Sequence, residues 1–173
     1  REDLTGLDII TIDGPQTQDY DDAISLDVAG KEVHLGVHIA DVATAIPPET
    51  VLDETGRERV SSLYLPRRQI PMLPPELSHE RLSLKEGKDR EAISLLARFT
   101  DNGQLLDYRI VPSIIRVKRQ LVYEGVNEQL EEEPLFQTLY QLCARLHQKR
   151  MDQGAIRLSL PDVVIHVREN SSP

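Results

Sequence analysis

The chain has 173 residues, 39% hydrophobic and 28% charged, with a formal net charge of −9. That is long and apolar enough to bury a core, which excludes a disordered chain. A single cysteine, Cys143, excludes an internal disulfide framework and a multi-cysteine zinc site, and no apolar run is long enough to cross a bilayer.

The charge is unevenly placed. Residues 1 to 30 carry one arginine and eight carboxylates, a local −7, whereas residues 57 to 119 carry thirteen Lys/Arg and eight Asp/Glu, a local +5. An acidic segment beside a basic one can hold divalent cations in one place and a polyanion next to them. Ordinary solvated surface charge is the alternative. The chain opens at Arg1 with no charged-then-apolar leader and ends just after a strand-like run. It is expected to be a cytoplasmic protein, and a piece of a longer one.

In chain order, Asp8 to Ile12 reads as a short buried strand stopped by Asp13-Gly14-Pro15. Ala23 to Val28 and Glu32 to Ala40 read as further strands. Thr50 opens an expected helix over Val51 to Leu63. Leu65 to Leu77, with Pro66, Pro71, Pro74 and Pro75, is expected to be an extended, ordered loop. Ala92 to Phe99 and Leu105 to Val111 flank Asp101-Asn102-Gly103, a hairpin signal. Residues 113 to 122 read as another strand and Val122 to Glu132 as a helix. Leu135, Leu139, Leu142 and Leu146 mark an amphipathic helix ending near Gly154, whose apolar stripe takes in the neighbouring Cys143. Asp162 to Val167 closes the series as a strand. The expected fold is α+β: a mixed or antiparallel sheet with helices packed on it, in one incomplete domain spanning 1–173.

The main chemical signal lies in Thr11-Ile12-Asp13-Gly14-Pro15-Gln16-Thr17-Gln18-Asp19-Tyr20-Asp21-Asp22. Four carboxylates within ten residues repel one another unless something neutralises them, and divalent cations do so with carboxylate oxygens. Two such ions can activate water and stabilise a leaving oxygen. A solvated acidic loop is the alternative. A calcium loop of the EF-hand kind fails, because the glycine required at its sixth position after Asp19 or Asp21 is absent. His34 and His38 stand four apart on one expected strand, with no third ligand to make a zinc site.

The stretch Thr-Ile-Asp-x₅-Asp-Tyr-Asp-Asp-Ala-Ile resembles the catalytic segment of the ribonuclease II / ribonuclease R family. Val37-His38-Ile39-Ala40-Asp41-Val42, Tyr64-Leu65-Pro66, Ile70 to Ser78, Leu82-Ser83-Leu84, Asp89-Arg90 and Leu121-Val122-Tyr123-Glu124 follow in that family's order. The likeness covers about Asp3 to about Pro161.

The resemblance implies the N-terminal portion of an RNB-type catalytic domain. It implies Mg²⁺-dependent, two-metal 3′-to-5′ hydrolysis of single-stranded RNA with a free 3′ end, releasing nucleoside 5′-monophosphates; Mn²⁺ is a possible substitute. By position it implies that Asp13, Asp19, Asp21 and Asp22 are the metal-binding and catalytic aspartates. Asp13 and Asp22 would hold the resting metal, and Asp21 would lie closest to the chemistry. Tyr64 would stack on the 3′-terminal base, and Tyr123 would touch a phosphate or order the terminal nucleotide.

Arg67-Arg68 and Arg116/Lys118/Arg119 are candidate phosphate contacts, with plain surface solvation as the alternative. Leu158 stands where the family places a second clamping aromatic. The family's catalytic arginine lies in the second half of the domain, so the remainder of that domain and flanking oligonucleotide-binding barrels are the expected partners, with no membrane. A second reading is a catalytically silent RNA-binding or scaffold segment.

Overall fold

The computed structural model describes residues 1–65 and 68–160. The strands are β1 (Glu2–Asp3), β2 (Ile9–Asp13), β3 (Asp22–Ala29), β4 (Glu32–Ala40), β5 (Leu63–Leu65), β6 (Arg68–Ile70), β7 (Asp89–Thr100) and β8 (Leu105–Val122). The helices are α1 (Val42–Ala45), α2 (Val51–Arg59), α3 (Tyr123–Glu128) and α4 (Pro134–Asp152), with one π-helical turn at Glu76–Arg81.

The main sheet runs β1-β8-β2-β3-β4-β7, and β7 pairs β8 as well. The ring β2-β3-β4-β7-β8 therefore closes on itself, so each of its strands has partners on both sides over part of its length. β1 and β2 lie parallel to β8, and the other pairings of the ring are antiparallel. The result is the expected mixed sheet with helices.

Alternation puts two cores on the two faces of this sheet. Inside lie Ile9, Ala23, Ala40, Leu84, Ala92, Ile115 and Val117, all buried. Outside, Leu26, Val33, Ala97 and Phe99 receive α4 through Leu142, with Leu135, Leu139 and Leu146 alongside. The leucine stripe is thus the face the helix buries, and Pro134 opens it at a position where a missing N–H costs nothing. Cys143 departs from expectation: it is exposed, one step around the helix from buried Leu142. A third cluster, Ile46, Leu73 and Leu82, sits under the long excursion between β4 and β7.

Several boundaries differ from the sequence reading. β8 is one 18-residue strand, where two were expected on either side of Pro112. Pro112 pairs Ile93 on the β7 side, and β1 reaches β8 only from Ser113 onward. The proline thus lies at a locally edge-like position, where strands tolerate it. Gly103 takes φ +77° in the turn that joins β7 to β8. α2 is capped by the Thr50 hydroxyl, which accepts from the Asp53 N–H at 3.4 Å, and stops at Arg59, short of Leu63. α3 ends at Glu128. The proline-rich stretch is not wholly extended: β5 and β6 pair, and the π-helical turn begins at Glu76. The expected strand from Asp162 to Val167 lies outside the described residues. No described helix is long and apolar enough to cross a membrane.

A polar chain crosses the inside of the ring. His38 is fully buried, its Nε2 3.0 Å from Ser25 Oγ and its Nδ1 2.7 Å from Ser94 Oγ. Ser94 continues to Ser113 Oγ at 2.6 Å, and Ser113 donates to the Ala92 carbonyl at 3.1 Å. A neutral imidazole offers one donor and one acceptor, which suits a two-sided contact. Burial holds the His38 pKa down at about 4. Gly36 makes room for this chain: a Cβ there would strike Ser25 Oγ and lie 2.7 Å from His38 Nε2.

Two outcomes follow. Above pH 6.5 His38 is neutral folded and unfolded; between pH 6.5 and about 4 only the unfolded chain takes up its proton. Stability therefore falls as pH drops through that window, by up to about 3 kcal/mol from this residue. Urea unfolding of wild type and His38→Gln at pH 7 and pH 5 should show a steeper acid loss in wild type. Gly36→Ala should destabilise by about 1–3 kcal/mol through overpacking, read as a lower urea midpoint at unchanged slope.

Candidate functional site

The four aspartates gather at one end of the ring because of how β2 and β3 meet. Asp13 is the last residue of β2 and Asp22 the first of β3. These strands are antiparallel neighbours, so the connecting loop must turn back within eight residues and carries Asp19 and Asp21 with it. The Thr17 N–H donates to the Gly14 carbonyl at 3.1 Å and starts that return. The Ala40 N–H donates to the Asp21 carbonyl at 2.9 Å, extending the β3–β4 ladder up to the loop.

The electrostatics are those of crowded carboxylates. Burial pushes the Asp13 carboxyl above its ordinary value, and the charges of Asp22, Asp21 and Asp19 push it further. The Thr11 hydroxyl pulls weakly the other way without completing a hydrogen bond: Thr11 Oγ1 and Asp13 Oδ2 are both buried and without partners. Burial, then Asp19 and Asp22, also raises Asp21. Among the described residues no three His, Cys, Asp or Glu side chains are drawn together tightly enough to enclose an ion.

Two donors reach Asp19 from the β5–β6 hairpin. The Tyr64 hydroxyl donates to Asp19 Oδ2 at 2.8 Å, and the Gln69 side-chain amide donates to the same oxygen at 3.1 Å. Tyr64 and Gln69 face each other across the hairpin, so its register delivers both. Burial and then the Asp19 bond raise the Tyr64 pKa. Tyr64 as a whole remains 68% exposed. Tyr123 arrives by another route. β8 runs parallel to β2 with Val122 opposite Asp13, so the next residue, the exposed Tyr123, begins α3 beside the strand end that bears Asp13.

The candidate phosphate contacts divide. Arg116 is held by Asp89, with Nε to Oδ1 at 2.6 Å and Nη2 to Oδ2 at 2.9 Å. Arg119 is held by Glu133 at 3.0 Å and lies 3.8 Å from Asp8. These two arginines are part of the protein's own ion pairs. Arg67 lies outside the described residues. His34 pairs Glu32 at 3.3 Å, so neither histidine of β4 joins the aspartates. Leu158 is exposed, in a stretch without regular structure.

Sequence reasoning missed Gln69, which carries no motif signal of its own. It becomes visible only once the prolines around it are seen to flank a hairpin. A cavity of about 640 Å³ lies toward the other end of the same strands, between Asp27, His34, Arg98, Asp107 and Tyr108. None of Asp13, Asp19, Asp21 and Asp22 lines it. Arg98 and Asp107 bond to each other there through both guanidinium and carboxylate edges at 2.9 and 2.8 Å.

The buried, unpartnered Asp13 Oδ2 beside three further carboxylates is a hard-oxygen donor set that suits Mg²⁺ or Mn²⁺.

Known proteins share this fold. The RNB-domain family model matches residues 1–173. Ribonuclease R of Chlamydia muridarum is 38% identical over 181 residues, covering 100% of this chain and 26% of that protein. Mycoplasma genitalium RNase R, solved in complex with double-stranded RNA, superimposes with a TM-score of 0.91 at 29% identity, over 98% of this chain and 32% of that one. The same enzyme in complex with ribose-methylated single-stranded RNA gives 0.87 at 29% identity, over 98% and 28%. The chain thus spans about a quarter of the curated relative's length.

Crowding makes the site a net cost to folding without a counter-ion. Asp13→Asn should raise the Tm measured in EDTA by about 2–4 °C, the equivalent of roughly 1 kcal/mol of relieved repulsion. Millimolar Mg²⁺ should raise the wild-type Tm, and the same substitution should remove that rise.

Proposed function

The chain belongs to the RNB-domain family, and from that membership together with the site geometry we propose that it is the N-terminal, metal-holding portion of a hydrolytic 3′-to-5′ exoribonuclease catalytic domain. The substrate is single-stranded RNA with a free 3′ end, and the products are nucleoside 5′-monophosphates. The observation that carries the reading is the convergence of Asp13, Asp19, Asp21 and Asp22 at one strand end, with a buried Asp13 oxygen that no protein group satisfies.

Asp13, Asp21 and Asp22, with the free capacity of Asp19, would hold Mg²⁺, which supplies water activation and charge neutralisation at the departing 3′ oxygen. The protein's own groups do the rest. Asp13 and Asp22 are fixed by strand pairing and give the site its rigid side. Asp19 is oriented by Tyr64 and Gln69, so the stacking residue and a metal-binding carboxylate are joined by one hydrogen bond. Seating the last base on the Tyr64 ring would then set the scissile phosphate against the aspartates.

Stacking tolerates any base, which suits digestion of every sequence. Unpaired bases are needed for it, and hence single-stranded RNA. Tyr123, which follows the residue opposite Asp13, would meet the phosphate. The remainder of the catalytic domain and the oligonucleotide-binding barrels would supply the arginine and the RNA path.

The test is a time course on 5′-labelled single-stranded RNA with Mg²⁺, beside EDTA and Asp21→Asn, run in the protein that carries this chain together with the rest of its domain. Stepwise 3′ shortening is expected with metal only, and a loss of about 10²–10³-fold or more in Asp21→Asn. Metal-independent shortening, or an unaffected Asp21→Asn, would sink the reading; RNA binding with no turnover under any condition would favour the silent scaffold. Tyr64→Ala should weaken binding of a short single-stranded oligonucleotide by about 1–3 kcal/mol, measured by fluorescence anisotropy.

A further inference from the structure

We propose that Ser83 is the positioning residue for the loop carrying Asp19 and Asp21, and that Arg90 acts through it; this rests on the reading of those aspartates as metal ligands. Ser83 has no exposed surface. Its hydroxyl donates to the Gln18 carbonyl at 3.1 Å and accepts from the Tyr20 N–H at 3.0 Å. The Leu84 N–H donates to the Tyr20 carbonyl at 2.8 Å. Asp19 is thereby held between two clamped residues, and Asp21 follows directly on the second clamp. One hydroxyl thus does for the aspartate loop what a sheet partner does for β2 and β3.

Ser83 is itself held on both sides. Leu82 and Leu84 are buried in two different clusters, so Ser83 is pinned between two hydrophobic anchors. Arg90, two residues into β7, spends its guanidinium on main-chain carbonyls. Nε donates to Ser83 at 2.9 Å, Nη2 to Glu80 at 2.9 Å and Nη1 to Asp89 at 3.0 Å. An arginine engaged this way is not offering itself to phosphate. It ties the end of the π-helical turn and Ser83 to the main sheet, and through Ser83 it ties the aspartate loop to the same sheet. The constraint matters because Asp19, Asp21 and Asp22 repel, and an unheld loop would relax outward. Groups that orient ligands without touching the ion typically account for 10–100-fold in metal affinity.

The experiment compares wild type, Ser83→Ala, Arg90→Gln, the double variant and Ser94→Ala. Ser94 is an equally buried hydroxyl in the His38 chain, away from the loop. Mn²⁺ affinity is read by EPR titration, and amide hydrogen exchange is read at Tyr20. Ser83→Ala should bind Mn²⁺ about 10–100-fold more weakly, with faster exchange at Tyr20. Arg90→Gln should do the same to a lesser degree, and the double variant should be no worse than Ser83→Ala, because the two act in series.

Ser94→Ala should lose stability while keeping both readouts. If Ser83→Ala fails to fold, Arg90→Gln decides on the same two readouts. Wild-type Mn²⁺ affinity and Tyr20 protection in the substituted chains would overturn the proposal, as would equal losses in Ser94→Ala. Absence of Mn²⁺ binding by wild type would overturn the metal reading instead, and Tyr20 exchange would still decide whether Ser83 holds the loop.

Discussion

Repulsion among four carboxylates is the constraint around which this fold is arranged. Asp13, Asp19, Asp21 and Asp22 lie within ten residues, and the first and third are raised above ordinary carboxylate behaviour by burial and by their neighbours. A flexible chain would separate them. Here Asp13 and Asp22 stand on neighbouring strands that pair as Ile9 with Ser25 and Ile10 with Ile24, Asp13 held opposite Val122 and Asp22 opposite Ile39. The loop between them is held by bonds from β4, from the β5–β6 hairpin and from Ser83. Each contact opposes the same outward force, and each comes from a different part of the chain.

That arrangement requires a stiff frame, and the closed ring provides it. Several interior sheet positions are small: Ala23, Gly36, Ala40, Ala92, Ser94 and Ser113. Three serines and one histidine then replace apolar packing with a continuous run of hydrogen bonds, fully paired except for the Thr11 hydroxyl nearby. Burying so many polar atoms is tolerable only because each finds a partner. Bulky residues fill the rest of the interior, as Ile9, Leu84, Ile115 and Val117, and the outer face, where Leu26, Val33 and Phe99 meet α4.

Much of this was legible in the chain. Glu32–Ala40 alternates cleanly and forms β4 with those limits. Asp101-Asn102-Gly103 joins two strands as its turn chemistry implies, and the leucines at steps of four and three face the core. The aspartates and both tyrosines could be named because their spacing is local or because they resemble a known order. What stayed hidden depends on contacts between distant residues. Pro112 reads as a strand break until its edge position is known. Cys143 reads as core until the helix is rotated onto the sheet. Arg116 and Arg119 read as free cations until Asp89 and Glu133 are seen beside them. Gln69 and Ser83 are ordinary polar residues in sequence, and only the tertiary fold brings them to the loop.

The parallel pairing of β2 with β8 has a consequence for assembly. Asp13 finds its place opposite Val122, a contact spanning more than one hundred residues. A chain emerging from the ribosome exposes all four aspartates early, as an open acidic loop. It cannot set them in a rigid strand end until β8 has been made and docked. The order of the Asp13 end therefore depends on β8 being paired, and a lesion that parts β2 from β8 would disturb it without touching an aspartate.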